Sequence, residues 1–290
     1  MKKKINKIAR DTNLYLKNFI NKQDYSKLVP VMKYGLFPGG KKIRSKILLD
    51  IGSLFNIDYK TLITIGAAVE CIHAYSLIHD DLPCMDDDEI RRGKPSTHIQ
   101  FGESTAVLAG NSLQTMACEI LASPNLKIKE KIKINLIKSL SECSGHLGIA
   151  GGQYLDLNYE KKKISKNKII EMEKKKTGKL FSFCCAAPAI IKNSSYKEIK
   201  FLENIGLNIG LLFQISDDLI DFKGDSVKAG KKTGKDKKKG KATLISLLGY
   251  KNAIKYCDKI IIEINRNLKK YGPNSKNIRE TLDYILHRDK

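Results

Sequence analysis

The sequence predicts an all-α fold, a large helical bundle. Three observations carry this: there are only seven prolines in 290 residues, the glycines gather at a few joints, and no run alternates apolar and polar residues as a half-buried strand does. Gly39-Gly40 opens a stretch from Lys41 to Phe55 in which Ile43, Ile47, Leu48 and Ile51 recur at helical spacing. Thr61 to Leu82 reads as a second helix, apolar on more than one face and stopped by Pro83. Ala106 to Leu121 is a third, ending at Ser123-Pro124. Ile132–Cys143, Ile169–Ile191 with Pro188 near its end, Lys197–Asp221, Thr243–Asn267 and Ser275–His287 complete the set. Helices apolar on several faces belong at the centre of a bundle. The stretch from Phe222 to Gly240 differs. It carries four glycines and, counted through Lys241, nine lysines, which predicts a mobile basic loop at about 222–241.

Hydrophobic residues make up 42% of the chain and charged residues 29%, a balance that is neither disordered in bulk nor membrane-embedded. Against 31 Asp+Glu stand 53 Lys+Arg, a formal net charge of +22. Such an excess points toward a polyanion: nucleic acid, an acidic membrane or a phosphorylated substrate. All but seven of the cations are Lys, though, as codon bias also produces, so charge alone selects none of these. The basic N-terminus leads into no apolar signal-like run, and the most continuous apolar stretch, Leu180 to Ile191, is too short to span a bilayer. Seven cysteines without a CxxC pair fit reduced thiols in the cytoplasm, with Cys184-Cys185 as core filling. No stable membrane association is expected.

Acids are concentrated in two places, each at the C-terminal end of an apolar helix. From His79 to Glu89, six of eleven residues are acidic, and Pro83 must distort the helix between Asp80 and Asp86, which lets both face one cavity. In the second cluster, Gln214 to Asp221, Asp217 and Asp221 are four apart and point the same way, with Gln214 one turn earlier. Packed like charges at the negative end of a helix dipole call for a compensating cation. All-oxygen ligands without neighbouring Cys favour Mg²⁺ over Ca²⁺ or Zn²⁺, and Mg²⁺ completes its shell with water and substrate phosphate.

Cationic motifs lie around these acids. Arg91-Arg92-Gly93 follows the first cluster, and the guanidinium fork suits bidentate phosphate contact. Gly39-Gly40-Lys41-Lys42-Ile43-Arg44 is a turn into a helix start, where backbone N–H groups favour phosphate too. Lys176-Thr177 offers an ammonium and a hydroxyl within a helical pattern, and His73 shares a helix face with Asp80 two turns away. Two Mg²⁺-binding clusters, phosphate cations and an apolar interior together suit one chemistry: a diphosphate leaving group on a hydrocarbon tail, its carbocation kept from water.

Seven ordered motifs give the chain a clear resemblance: GGKKIR (39–44), ECIHAYSLIHDDLPCMDDDEIRRG (70–93), LAGNSLQT (108–115), GGQYLD (151–156), KKTGKL (175–180), FQISDDLID (213–221) and GKKTGKD…GKAT (230–243). From about Tyr34 onward it resembles the bacterial-type farnesyl diphosphate synthases, within the all-trans polyprenyl diphosphate synthases. The resemblance implies a single domain with the isoprenoid synthase fold, a bundle around a deep central cavity, usually a homodimer. It further implies that Asp80, Asp86 and Asp217 bind Mg²⁺, up to three ions, with Asp81, Asp218 and Asp221 in support. Arg91, Lys176, Lys231 and Lys241 would hold the allylic diphosphate. Lys41, Arg44, His73 and Arg92 would hold that of isopentenyl diphosphate. Thr177 and Gln214 would face the developing cation, and the released pyrophosphate would take the proton. Tyr75, five residues before Asp80, resembles the aromatic that stops products at fifteen carbons.

Ser45 stands where the first motif commonly has Pro, Asn111 where an Asp is common, and Leu244-Ile245 where Tyr-Pro often follows. None removes an expected ligand. A geranylgeranyl diphosphate or mixed-length synthase is the near alternative. A non-catalytic prenyltransferase subunit would be expected to have lost acids from a cluster, and a metal phosphohydrolase would need more His than these five. A nucleic-acid-binding protein would fit +22, but aromatics are 7%, Trp is absent and no recognition motif occurs, so no nucleic-acid partner is expected.

Overall fold

The computed structural model describes residues 1–222 and 243–287. The expected loop lies almost wholly outside them, and Lys231 and Lys241 with it. By its internal contacts the chain divides into two compact units, residues 1–138 and 139–290. The described residues are helical apart from one small hairpin and the connecting turns, so the all-α expectation holds.

In the first unit, α1 (Lys2–Asn21) buries Ile5, Ile8, Thr12, Leu16 and Ile20, a stripe at spacings of three and four, and leaves its lysines outward. It was not among the helices expected from sequence; nor was α2 (Val29–Leu36). Then come α3 (Ile43–Leu54) and α4 (Tyr59–Asp80), whose first turn is capped by the Asp58 carboxylate accepting from the Lys60 and Thr61 amides. Helix α4 is the core of the unit and packs against α1, α2, α3 and α6 (Glu103–Ala122). It is buried on nearly every side because it is apolar on nearly every side. It is also long and apolar enough, by length and composition, to cross a membrane, which the shorter Leu180–Ile191 stretch is not; 83% of its apolar window is buried within the protein.

Between α4 and α5 (Thr97–Phe101) sits the hairpin, β1 (Ile90–Arg91) paired antiparallel with β2 (Lys94–Pro95), in register Ile90 to Pro95 and Arg91 to Lys94. Its two-residue loop, Arg92-Gly93, has positive φ at both positions, 53° and 77°, as a type I′ turn requires. Helix α7 (Glu130–Ser144) runs across the boundary between the units.

The second unit holds α8 (Ile149–Tyr159), α9 (Lys166–Glu173), α10 (Lys179–Ile191) and α11 (Tyr196–Phe222). Sequence had α9 and α10 as one helix. They are joined instead by a π-helical turn, Lys174–Gly178, which widens the backbone by one residue per turn without any change in composition that would announce it. Helix α10 is buried from Leu180 to Ile190, Cys184 and Cys185 included, and packs along α11. The expected Thr243–Asn267 helix is likewise two, α12 (Leu244–Leu248) and α13 (Tyr250–Leu268), because Gly249 at φ 77° breaks the path. Two short 3₁₀ turns within Lys269–Ser275, separated by a kink at Gly272 (φ 57°), lead to α14 (Lys276–Leu286).

Candidate active site

Helix α4 ends at Asp80, and Pro83 turns the chain back on itself. The Asp86 amide donates to the Asp80 carbonyl at 2.8 Å and the Asp88 amide to that of Asp81 at 3.1 Å. Six residues apart in sequence, Asp80 and Asp86 are thus neighbours through the backbone, the unwinding that Pro83 was expected to produce. The Asp81 carboxylate is buried, and Arg91 covers it with two donors, Nε at 3.0 Å and a closer Nη2; Asp88 lies 3.8 Å from that same guanidinium. Burial pushes the Asp81 carboxyl above its usual range, Arg91 pulls against it, and the charges of Asp88 and Asp86 add to the rise.

The cations converge on α4 one to two turns earlier. Arg44 Nη1 lies 3.2 Å from His73 Nε2, and Arg92, on the hairpin loop, donates to the Gly39 carbonyl. Gly40 permits that approach: its φ is 113°, and a Cβ there would overlap the Arg92 guanidinium. Three of the four residues expected at an isopentenyl diphosphate site therefore meet in one place, with Lys41 in the turn between Gly40 and α3.

Lys42 and Glu70 were not foreseen. The buried Glu70 carboxylate takes the Ser45 hydroxyl at 3.0 Å and the Ser45 amide at 3.3 Å, and stands 3.5 Å from the Lys42 ammonium. Ser45, a departure from the motif, so supplies an N–H that proline lacks. The only signal for Glu70 was its position, one turn before His73.

Burial holds His73 well below its usual range, and the charges of Arg44, Arg92, Lys42 and Arg91 deepen the effect. The folded protein keeps it neutral where the unfolded chain takes up a proton below about pH 6.5. The sign follows: the contribution of His73 to stability is present above that pH and is lost as pH falls. We expect His73→Gln to lose less in Tm than the parent between pH 7.5 and 5.5, measured by thermal melts; equal losses would refute this.

Tyr75 is buried and stands edge-on to His79, ring centres 5.6 Å apart at 81°. Burial, with the charge of Asp80, pushes its hydroxyl up to about 12.

In the second unit, α11 runs unbroken through FQISDDLID, so Asp217 and Asp221 keep their shared face. Gln214 and Asp218, also four apart, are linked: Thr177 Oγ1 donates to Gln214 Oε1 at 3.0 Å, and the Gln214 amide donates to Asp218 at 2.8 Å. Lys176, beside Thr177 in the π turn, is paired with Asp156 of α8. Lys231 and Lys241 lie outside the described residues.

Among the described residues, no three His, Cys, Asp or Glu side chains form a ready metal cage. Carboxylates in ones and twos, with the Asp80–Asp86 turn closed by the backbone, fit Mg²⁺, which takes few protein oxygens, better than Zn²⁺ or Ca²⁺.

Residues 26–285 match the family model described as polyprenyl synthetase. The farnesyl diphosphate synthase of Escherichia coli strain K12 is 38% identical over 268 residues, 91% of this chain and 90% of that protein. An FPP/GFPP synthase structure from Zymomonas mobilis is 34% identical with a TM-score of 0.86, covering 98% of each chain. A geranyltransferase from Helicobacter pylori, solved complexed with magnesium and isoprenyl diphosphate, is 30% identical with a TM-score of 0.81 over 96% of this chain and 95% of that one.

Proposed function

The chain belongs to the polyprenyl synthetase family, and on that premise we propose that it is a Mg²⁺-dependent farnesyl diphosphate synthase. It joins isopentenyl diphosphate head to tail first to dimethylallyl diphosphate and then to geranyl diphosphate. Each round breaks the allylic C–O bond and makes one C–C bond from the alkene of isopentenyl diphosphate. A proton is then lost to the departing pyrophosphate. The observation that carries this reading is the backbone turn that brings Asp86 beside Asp80 at the end of α4, the helix whose His73 meets Arg44 of α3.

Asp80, Asp86 and Asp217 would hold Mg²⁺, which supplies positive charge against the leaving diphosphate when bound. Arg91 and Lys176, with Lys231 and Lys241, bind the allylic diphosphate. Lys41, Arg44, His73 and Arg92 bind that of isopentenyl diphosphate. The Thr177 hydroxyl donates its hydrogen bond to Gln214, which is itself oriented by Asp218, and so leaves hydroxyl lone pairs to face positive charge. We read the chain as one polyprenyl synthase domain, working as a homodimer in the cytoplasm, a reducing setting that suits its seven free thiols.

Purified protein incubated with labelled isopentenyl and dimethylallyl diphosphates and Mg²⁺ should yield extractable farnesyl diphosphate, and none with EDTA. No prenyl product in the presence of Mg²⁺ would overturn the proposal. We place Tyr75 at the floor of the tail pocket, and Tyr75→Ala should shift the product to twenty carbons and beyond. Fifteen-carbon output from that variant, read by chromatography of the dephosphorylated products, would sink the assignment.

A further inference from the structure

The GGQYLD motif (151–156) has no part in the chemistry above, yet it is built against the π turn. It lies within α8, where Gly152 and Asp156 are four residues apart and share a face. A Cβ at Gly152 would stand 2.1 Å from the Lys176 amide nitrogen and 2.4 Å from its Cα, so only a bare Cα lets α8 approach the turn this closely. One turn further along, the Asp156 carboxylate takes the Lys176 ammonium at 2.5 Å, with the two side chains 8% and 20% exposed. The same face of α8 therefore grips Lys176 at both ends, its backbone through Gly152 and its ammonium through Asp156. A π turn in place of regular helix is itself rare and often marks a functional position.

We propose that Asp156 is a positioning residue that holds the Lys176 ammonium in place for the allylic diphosphate, an inference that rests on the prenyltransferase reading. A lysine head on a flexible four-carbon stem loses much rotamer freedom when it grips a phosphate. Asp156 imposes that loss in advance. The pairing fixes the head of the stem at the end that a phosphate oxygen would meet. Its charge also offsets some of the attraction of Lys176 for an anion, and the positioning role requires that the ordering outweigh this offset.

Four proteins decide it: parent, Asp156→Asn, Lys176→Met and the double variant, each titrated calorimetrically with inorganic pyrophosphate and Mg²⁺ and assayed for both substrates. Asp156→Asn should weaken pyrophosphate binding and raise KM for dimethylallyl diphosphate about tenfold, and it should add nothing in the Lys176→Met background. KM for isopentenyl diphosphate should stay near the parent value, and Asp156→Glu should recover part of the loss. Tighter pyrophosphate binding, an equal loss in both backgrounds, or an equal loss for both substrates would overturn the positioning role. A parent protein that makes no prenyl product would instead refute the prenyltransferase reading, and pyrophosphate binding would still decide the part played by Asp156.

Discussion

Asp86→Asn should fold like the parent and lose about a hundred- to several-thousand-fold in turnover. The substitution keeps the backbone amide that donates to Asp80, so the turn after α4 stays closed, and only the carboxylate charge goes. Ionisation of an allylic diphosphate concentrates negative charge on the leaving group, and a cation held against it stabilises that charge by several kcal/mol. A loss of about 3 to 5 kcal/mol converts to that range of rates at 1.36 kcal/mol per tenfold. The Mg²⁺ concentration needed for half-maximal rate should rise as well. Asp87 is the control: it is exposed and lies next to Asp86 in the same acidic run, so Asp87→Asn should stay within about tenfold of the parent if geometry rather than bulk acidity matters. Initial rates across a Mg²⁺ titration check both. A parent-like Asp86→Asn would remove Asp86 from the reacting site.

Asp50→Ala should destabilise the protein by about 3 to 5 kcal/mol and lower its Tm by on the order of 10 °C. Lys46 and Asp50 are a turn apart on α3 and paired, with side chains 1% and 6% exposed, in a helix packed against α1 and α4. Removing one partner leaves a buried ammonium short of its counter-charge, at a side chain only 1% exposed. Replacing both, as Lys46→Met with Asp50→Leu, should recover most of the loss, because two apolar side chains of similar volume carry no desolvation cost. Denaturant melts of the three proteins test this. A single variant as stable as the parent would show that the pair contributes nothing to folding.

The two acidic clusters were legible because their signal is local. Six acids in eleven residues after an apolar helix, with Pro83 among them, force both the helix end and the return of the chain, and the structure closes that return at Asp86. The spacing of Asp217 and Asp221 was equally plain, since an unbroken helix sets it. The hairpin escaped because two-residue strands are too short to alternate; the one local signal was Gly93, since Arg92 before it takes a positive φ that its residue type does not announce. The π turn escaped because its residues, Lys-Lys-Lys-Thr-Gly, read as ordinary helix. The N-terminal helix shows its period only in Ile5, Ile8, Leu16 and Ile20, spread thinly among lysines and polar residues.

By itself the sequence determined the helical class, the family motifs and the residues able to carry diphosphate chemistry, since each depends on neighbours within a turn or two. Partners were decided only by the tertiary structure. Arg91 on Asp81, Glu70 on Lys42 and Ser45, and Asp156 on Lys176 join residues ten to twenty-eight positions apart. In a chain with this many lysines, charge complementarity offers every acid many candidates, and packing selects among them because a buried carboxylate can keep its charge only where a donor is held within reach.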